Sequence, residues 1–214
     1  MSVLLNNINT VDAGCLFVVA APSGGGKTSL IAQLINTLDN IKVSISYTTR
    51  PRRPLEVDGN DYFFVNEQVF QQMIQQDDFV EYARVFDHYY GTSLRQINTS
   101  LRSGTDVVLA IDWQGARQIK QKFIASVGVF ILPPSLDILK QRLQQRRQDD
   151  EDIIKVRMNQ AQHELSHYHE FDYLIVNDDF MTAANELVAI VITRRIALAT
   201  QLIKQRQLLA CLLP

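Results

Sequence analysis

The chain has 214 residues, 46% of them hydrophobic, with 21 lysines and arginines against 23 aspartates and glutamates. That length supports one well-buried core with small insertions, and a net charge of −2 offers no overall field for nucleic acid or a membrane surface. Cys15 and Cys211 are too few and too far apart for a disulfide framework or a zinc site, no signal-type segment opens the sequence, and the longest apolar stretch, Leu187 to Ile192, falls far short of a bilayer span. The expectation is a cytoplasmic protein.

Residues 1 to 12 carry no periodic pattern. Cys15 to Ala20 then form a continuous apolar run, as expected of a central parallel strand, and Thr28 to Leu38 carry helical periodicity. Between them, Ala21-Pro-Ser-Gly-Gly-Gly-Lys-Thr28 reads as a phosphate cradle. Backbone N–H groups converge on an anion only where side chains do not intervene, which Gly24, Gly25 and Gly26 allow, and a helix N-terminus adds positive potential. In such a loop Lys27 reaches the β- and γ-phosphates and Thr28 offers a hydroxyl to Mg²⁺. The first glycine of the usual G-x-x-x-x-G-K-[ST] pattern is replaced by Ala21, which suits the turn if its φ is negative.

Lys42 to Ser46 read as a second strand, followed by Tyr47-Thr-Thr-Arg50-Pro-Arg-Arg53-Pro-Leu-Glu-Val-Asp-Gly59, whose prolines and glycine rule out a helix. Three arginines in four positions make either an anion-binding loop or a solvated basic one, and composition does not decide between them. Tyr62 to Val65 and Phe79 to Val85 read as strands, with a helix from Glu67 to Gln76 between them. Glu81 lies in an apolar neighbourhood, so it is either paired or on the solvent side. His88 to Thr92 read as a turn, and Ser93 to Arg102 as a helix capped by Ser93 or Thr92.

Asp106 to Ile111 form a second apolar run ending in Asp112, with a helix from Trp113 to Lys122 after it. Val127 to Leu132 make another strand, stopped by Pro133 and Pro134. Ser135 to Arg147 then carry Lys140, Arg142, Arg146 and Arg147 on a helix. The acidic run Asp149 to Asp152 opens a further helix ending near His169, where acids suit the helix dipole. Tyr173 to Val176 form the last strand, Asn177 to Asp179 cap the next element, and 182 to 210 read as one long amphipathic helix. His88 reads as a structural or surface residue, and His163, His167 and His169 lack the closed ligand set a metal needs. Strands alternating with helices around a phosphate turn give an α/β fold: a P-loop parallel sheet core wrapped by helices, interrupted by a strand-rich excursion at 46 to 93 and a charged helical one at 136 to 171.

From Ser44 through the arginine loop to Phe64 the sequence resembles the guanylate kinases, which phosphorylate GMP to GDP with ATP. The phosphate loop, Phe79-Val-Glu81-Tyr, Tyr89-Tyr-Gly91, Ile111-Asp-Trp-Gln-Gly115 and Ile175-Val-Asn-Asp-Asp179 extend the likeness over nearly the whole chain. The resemblance implies that Ser46, Arg50, Arg53, Tyr62 and Tyr90 hold the GMP phosphate, that Glu81 and Thr92 meet the guanine, and that Asp112 sits beside the GMP and metal region. On the donor side it implies Ala21, Pro22, Ser23, Gly24, Gly25, Gly26, Lys27, Thr28, Ser29 and Asn177 for ATP, with Lys27, Arg142, Arg146 and Arg157 as the catalytic cations and Thr28 as the Mg²⁺ ligand. The implied division is a core of 1–45, 94–135 and 172–214, a GMP-binding region of 46–93 and a lid of 136–171. The expected role is purine nucleotide metabolism and GMP recycling, with dGMP as a further acceptor, no nucleic-acid or membrane partner, and homo-oligomerisation left open.

Five positions depart from the family's pattern. Ala21 replaces the first loop glycine, Ala110 stands where an aspartate is common, Thr92 where serine is usual, and Gln145 with Arg147 replace glycines around a lid arginine. A non-catalytic peptide-binding module of the same fold is the rival reading, against which intact Lys27 and Thr28 argue; a kinase of another phosphorylated metabolite is opposed by Glu81 and Thr92.

Overall fold

A computed structural model describes residues 14–85, 87–145 and 151–213. The lead-in at 1 to 12, Arg146, Arg147 and the start of the acidic run lie outside the described residues. Five parallel strands, β1 (Leu16–Ala20), β2 (Ile41–Val43), β7 (Asp106–Ala110), β8 (Val127–Leu132) and β9 (Tyr173–Val176), form a sheet in the order β2-β7-β1-β8-β9. Alternation along β1 divides the core between the two faces. Phe17 and Val19 point with Val108, Val129 and Ile175 toward helices α1 (Lys27–Thr37) and α7 (Phe180–Ile196). Leu16 and Val18 point with Val107 and Leu109 toward α3 (Leu94–Arg102) and α4 (Trp113–Lys122). The continuous apolar runs in the sequence are thus strands buried on both faces.

Residues 47 to 93 build a second sheet, in the order β4-β3-β6-β5, from β3 (Tyr47–Thr48), β4 (Phe63–Phe64), β5 (Phe79–Val85) and β6 (His88–Ser93), with α2 (Glu67–Gln75) set between β4 and β5. Phe70 of α2 stacks on Phe79 and Tyr89 at ring separations of 4.5 and 5.4 Å, giving this sheet its own aromatic core. Val80 reaches across into the cluster under the large sheet, which ties the two sheets together. Helices α5 (Leu136–Gln145) and α6 (Glu151–Leu165) follow β8, and α6 ends before a 3-10 turn at Tyr168–Glu170.

Three expectations are corrected. The segment from His88 to Thr92 is a strand, because β6 pairs antiparallel with both β3 and β5. The strand expected over Lys42 to Ser46 spans Ile41–Val43, ending where its pairing with β7 ends. The long helix expected over 182 to 210 is three: α7, α8 (Leu198–Lys204) and α9 (Arg206–Leu212). Arg195 holds the end of α7 under the sheet, donating to Asp106 Oδ2 at 2.7 Å and to the Asp39 carbonyl at 2.8 Å. The chain turns at Ala197, and Gln201 Nε2 caps the Arg195 carbonyl at 2.9 Å.

Candidate active site

At the carboxyl ends of β1, β7 and β9 the chain places the glycine-rich loop, Ile111-Asp112 and Asn177, the crevice where open α/β sheets take ligands. Gly24 and Gly26 have φ of 89° and 96°, so only glycine is unstrained there. Gly25 N–H donates to the Pro22 carbonyl at 2.8 Å and closes the turn. Ala21 is not among the positive-φ residues, which is why alanine serves in place of the first glycine. Gly26 caps α1 with no side-chain acceptor, leaving the N–H groups of the first turn available to an anion. Thr28 and Ser29 are exposed beside them.

Lys27 Nζ donates to the Ile111 carbonyl at 3.0 Å. Burial lowers its pKa, while the carboxylates of Asp112, Glu164 and Glu81 act in the opposite direction. Beneath the loop lies Asn177, 4% exposed, whose Nδ2 donates to the Gly25 carbonyl at 2.9 Å. A Cβ on Gly26 would fall 2.2 Å from that nitrogen, so loop and asparagine are fitted to each other. Arg142 of α5 donates through Nη2 to the Asn177 carbonyl at 2.9 Å, and its buried Nη1 has no partner among the described residues. Leu139 and Leu143 of the same helix pack on Gly24. Arg157 lies half-buried on α6. Asp112 caps α4, accepting from Gly115 N–H at 2.9 Å, and Ala110 is exposed at the end of β7.

The second sheet carries the other cluster. Arg50 donates from Nη2 to Glu56 at 2.6 Å and from Nη1 to the Pro51 carbonyl at 2.8 Å, and lies over the Tyr62 and Phe64 rings at 5.5 and 5.8 Å. Tyr90 meets Tyr62 edge-on at 5.9 Å, and burial raises the Tyr62 pKa. Arg53 donates its backbone N–H to Glu56 Oε2 at 2.8 Å, and its guanidinium lies 4.0 Å from Oε1 with half its side chain exposed. Arg50, Arg53, Tyr62 and Tyr90 are therefore gathered as one group, with Arg50 the fixed member.

Glu81 is 3% exposed and accepts the Thr92 hydroxyl through Oε1. Ser46 Oγ lies 3.4 Å from Thr92 Oγ1, giving a polar line from Ser46, just before β3, through Thr92 of β6 to Glu81 of β5. Burial raises the Glu81 pKa to about 7; the Thr92 hydrogen bond, Lys122 and Lys27 pull it down and Asp112 pushes it up. The choice left open by the sequence is settled: Glu81 is paired.

Sequence reading missed several residues here. Glu56 bridges Arg50 and Arg53, and its signal was a carboxylate three positions past Arg53 in a turn. Glu164 of α6 faces Lys27 and the Ser23 backbone, and burial raises its pKa to about 7; nothing local marks a helical glutamate 137 positions away. His163 and His167 form a packing cluster: His167 stacks on Trp113 at 3.6 Å and meets Glu170 at 2.7 Å, with His163 edge-on to both rings, while His169 lies edge-on to Tyr168. Among the described residues no group of three or more His, Cys, Asp or Glu could hold a metal.

The sequence profile of the guanylate kinase family matches residues 14–194. Guanylate kinases of Legionella pneumophila (strain Paris) and Methylococcus capsulatus are 56% and 52% identical over 202 and 200 residues. Each alignment covers 94% of this chain, with 97% and 98% of the respective relative. The crystal structure of guanylate kinase from Anaplasma phagocytophilum superposes with a TM-score of 0.76 at 30% identity, covering 92% of this chain and 94% of that one.

Proposed function

The chain belongs to the guanylate kinase family and phosphorylates GMP to GDP with ATP; from that premise we propose how its residues divide the work. The glycine loop, residues 21 to 29, holds the ATP phosphates through backbone N–H groups, with Lys27 leaving the Ile111 carbonyl for the phosphoryl oxygens. Asn177 serves as the brace that fixes the loop. Arg142 offers its Nη1, which has no partner among the described residues, to the transferring phosphoryl group, joined by Arg157 and by Arg146, which lies outside the described residues. Residues 136 to 171 act as the lid that carries these arginines, and excluding water there keeps it from competing as acceptor.

Residues 46 to 93 hold GMP. Arg50 and Arg53, with Tyr62, Tyr90 and Ser46, take its phosphate, since guanidinium forks match phosphate oxygens bidentately. Glu81 and Thr92 read the base: an ionised carboxylate offers two acceptors to the N1–H and N2 amino donors of guanine. These contacts are to the base and the phosphate and leave the ribose unread, which is the ground for proposing dGMP as a second acceptor. Asp112 lies between the two halves.

Mg²⁺ keeps most of its waters and needs only one or two protein oxygens besides substrate phosphates. The exposed Thr28 hydroxyl next to Lys27 fits that requirement. When bound, the ion supplies charge neutralisation on the phosphates. The protein's own part is alignment and electrostatic stabilisation, with no covalent nucleophile. Among the described residues no helix is long and apolar enough to cross a membrane, and with nucleotide substrates we place the enzyme in the cytoplasm.

The observation that carries the acceptor assignment is the buried Glu81–Thr92 pair within reach of Ser46. An ADP-release assay with GMP, dGMP, AMP, UMP and CMP as acceptors tests it. Turnover with GMP and dGMP alone is expected, and comparable turnover with AMP would refute the role of Glu81.

A further inference from the structure

Three successive residues of β5, Phe79, Val80 and Glu81, are buried, which a regular strand with alternating faces does not allow. The cause is a bulge. Phe79 pairs with Ser93 and Glu81 with Thr92, so β5 advances two residues while β6 advances one, and Val80 is extra. Val80 turns into the core beneath the large sheet and Glu81 turns onto Thr92. A bulge leaves ladder carbonyls without their strand partners, and buried carbonyls need donors.

Helix α4 supplies one. Lys122 Nζ donates to the Val80 carbonyl at 2.6 Å and lies 3.4 Å from that of Phe79. One turn back, Gln118 pairs with Tyr82 as a strand would, accepting its N–H at 3.2 Å and donating to its carbonyl at 2.8 Å. Another turn back, Gly115 leaves room for the carboxylate itself: a Cβ there would lie 2.6 Å from Glu81 Oε2. Residues 115, 118 and 122 share one helix face, so the backbone on both sides of Glu81 and one side of its carboxylate are set by the same helix.

We propose that Lys122, assisted by Gln118, is a positioning residue for base selection, holding the β5 bulge so that Glu81 faces the guanine edge. This rests on the reading that Glu81 contacts the base. The groups facing Glu81 are Thr92 from β6, Asp112 from the N-cap of α4, Lys122 from α4 itself, and Lys27 from α1. Removing Lys122 therefore takes away a nearby cation as well as the bulge's donor, and Glu81 ionises at higher pH.

The test is steady-state kinetics of the full-length enzyme with GMP and AMP across pH 5.5–8.5, a window of about that width spanning the Glu81 pKa. The variants are Lys122→Met, Lys122→Arg, Gln118→Ala and Glu81→Gln. In Lys122→Met the GMP:AMP ratio of kcat/KM is expected to fall about tenfold, as for loss of a charged hydrogen bond. The acid limb for GMP moves to higher pH, and KM for ATP stays within about twofold. Lys122→Arg restores most of the ratio, and Gln118→Ala shifts it the same way by less. If Lys122→Met does not fold, the arginine and Gln118 variants carry the test, and an unchanged ratio and acid limb in Gln118→Ala overturns the proposal. An unchanged ratio in Lys122→Met, while Glu81→Gln collapses it, overturns it as well. So does an equal loss toward GMP and ATP, which marks general destabilisation. An unchanged ratio in Glu81→Gln instead removes the base reading itself.

Discussion

The phosphate-loop crevice and the cluster on the second sheet are built in opposite ways. In the crevice, nine successive residues supply the loop and its lysine, and the proposed anion site is mostly backbone, with Gly24 and Gly26 at positive φ. On the second sheet, the groups proposed to hold GMP are side chains drawn from Ser46 to Thr92, brought together by strand pairing and by Glu56. A backbone site is fixed by local conformation and tolerates changes in surrounding side chains. A side-chain site depends on each rotamer and on the register of every strand beneath it. Substitutions should therefore separate the two regions cleanly.

The largest effect is expected at Lys27. Lys27→Ala should lower kcat by at least about 10²-fold, the scale of losing one preorganised stabiliser of transition-state charge, while calorimetry shows GMP affinity little changed. Joint loss of GMP binding would mean that the regions are not independent.

Next come the arginines. Arg50→Lys should lower kcat/KM for GMP by about 1.5–3 kcal/mol, because an ammonium replaces a fork already committed to Glu56 and the Pro51 carbonyl. Arg53→Lys should cost less, since half of that side chain is exposed, and Arg52→Lys should be neutral. Equal losses at all three positions in steady-state assays would point to a diffuse basic loop rather than a built site.

Glu81→Gln should cut the GMP:AMP ratio of kcat/KM at least about tenfold, since its amide N–H₂ meets another donor on guanine. The same residue sets a pH dependence of stability. Its folded pKa, about 7, lies above the ordinary 4.5, so its contribution is fully present below 4.5 and lost as pH rises through about 7. Thermal melts of ligand-free protein should show Glu81→Gln gaining more over wild type at pH 8 than at pH 6; equal gains would place the carboxylate in a solvated setting.

The smallest effect concerns the donor side. Asn177→Ala removes the donor to Gly25 O and should raise KM for ATP about fivefold, roughly one neutral hydrogen bond, with KM for GMP unchanged. A change in the GMP parameters instead would shift Asn177 out of the donor region.

The parallel core was legible in the amino-acid order alone, because double-sided burial forces continuous apolar runs such as Leu16–Ala20 and Val127–Leu132. So was the phosphate loop, since positive φ demands glycine at 24 and 26. Motifs also marked Arg50, Glu81 and Thr92 as chemistry-bearing, through resemblance rather than pattern. Features that depend on distant partners emerged only when the chain was folded. His88–Ser93 became a strand because β3 and β5 flank it, and the C-terminal helix broke at Ala197 where Arg195 is held by Asp106 and Asp39. Glu81 was ambiguous in sequence because its environment comes from Thr92, Gly115 and Lys122, eleven to 41 positions away. Local periodicity records which face of an element is buried; it does not record what that face is buried against.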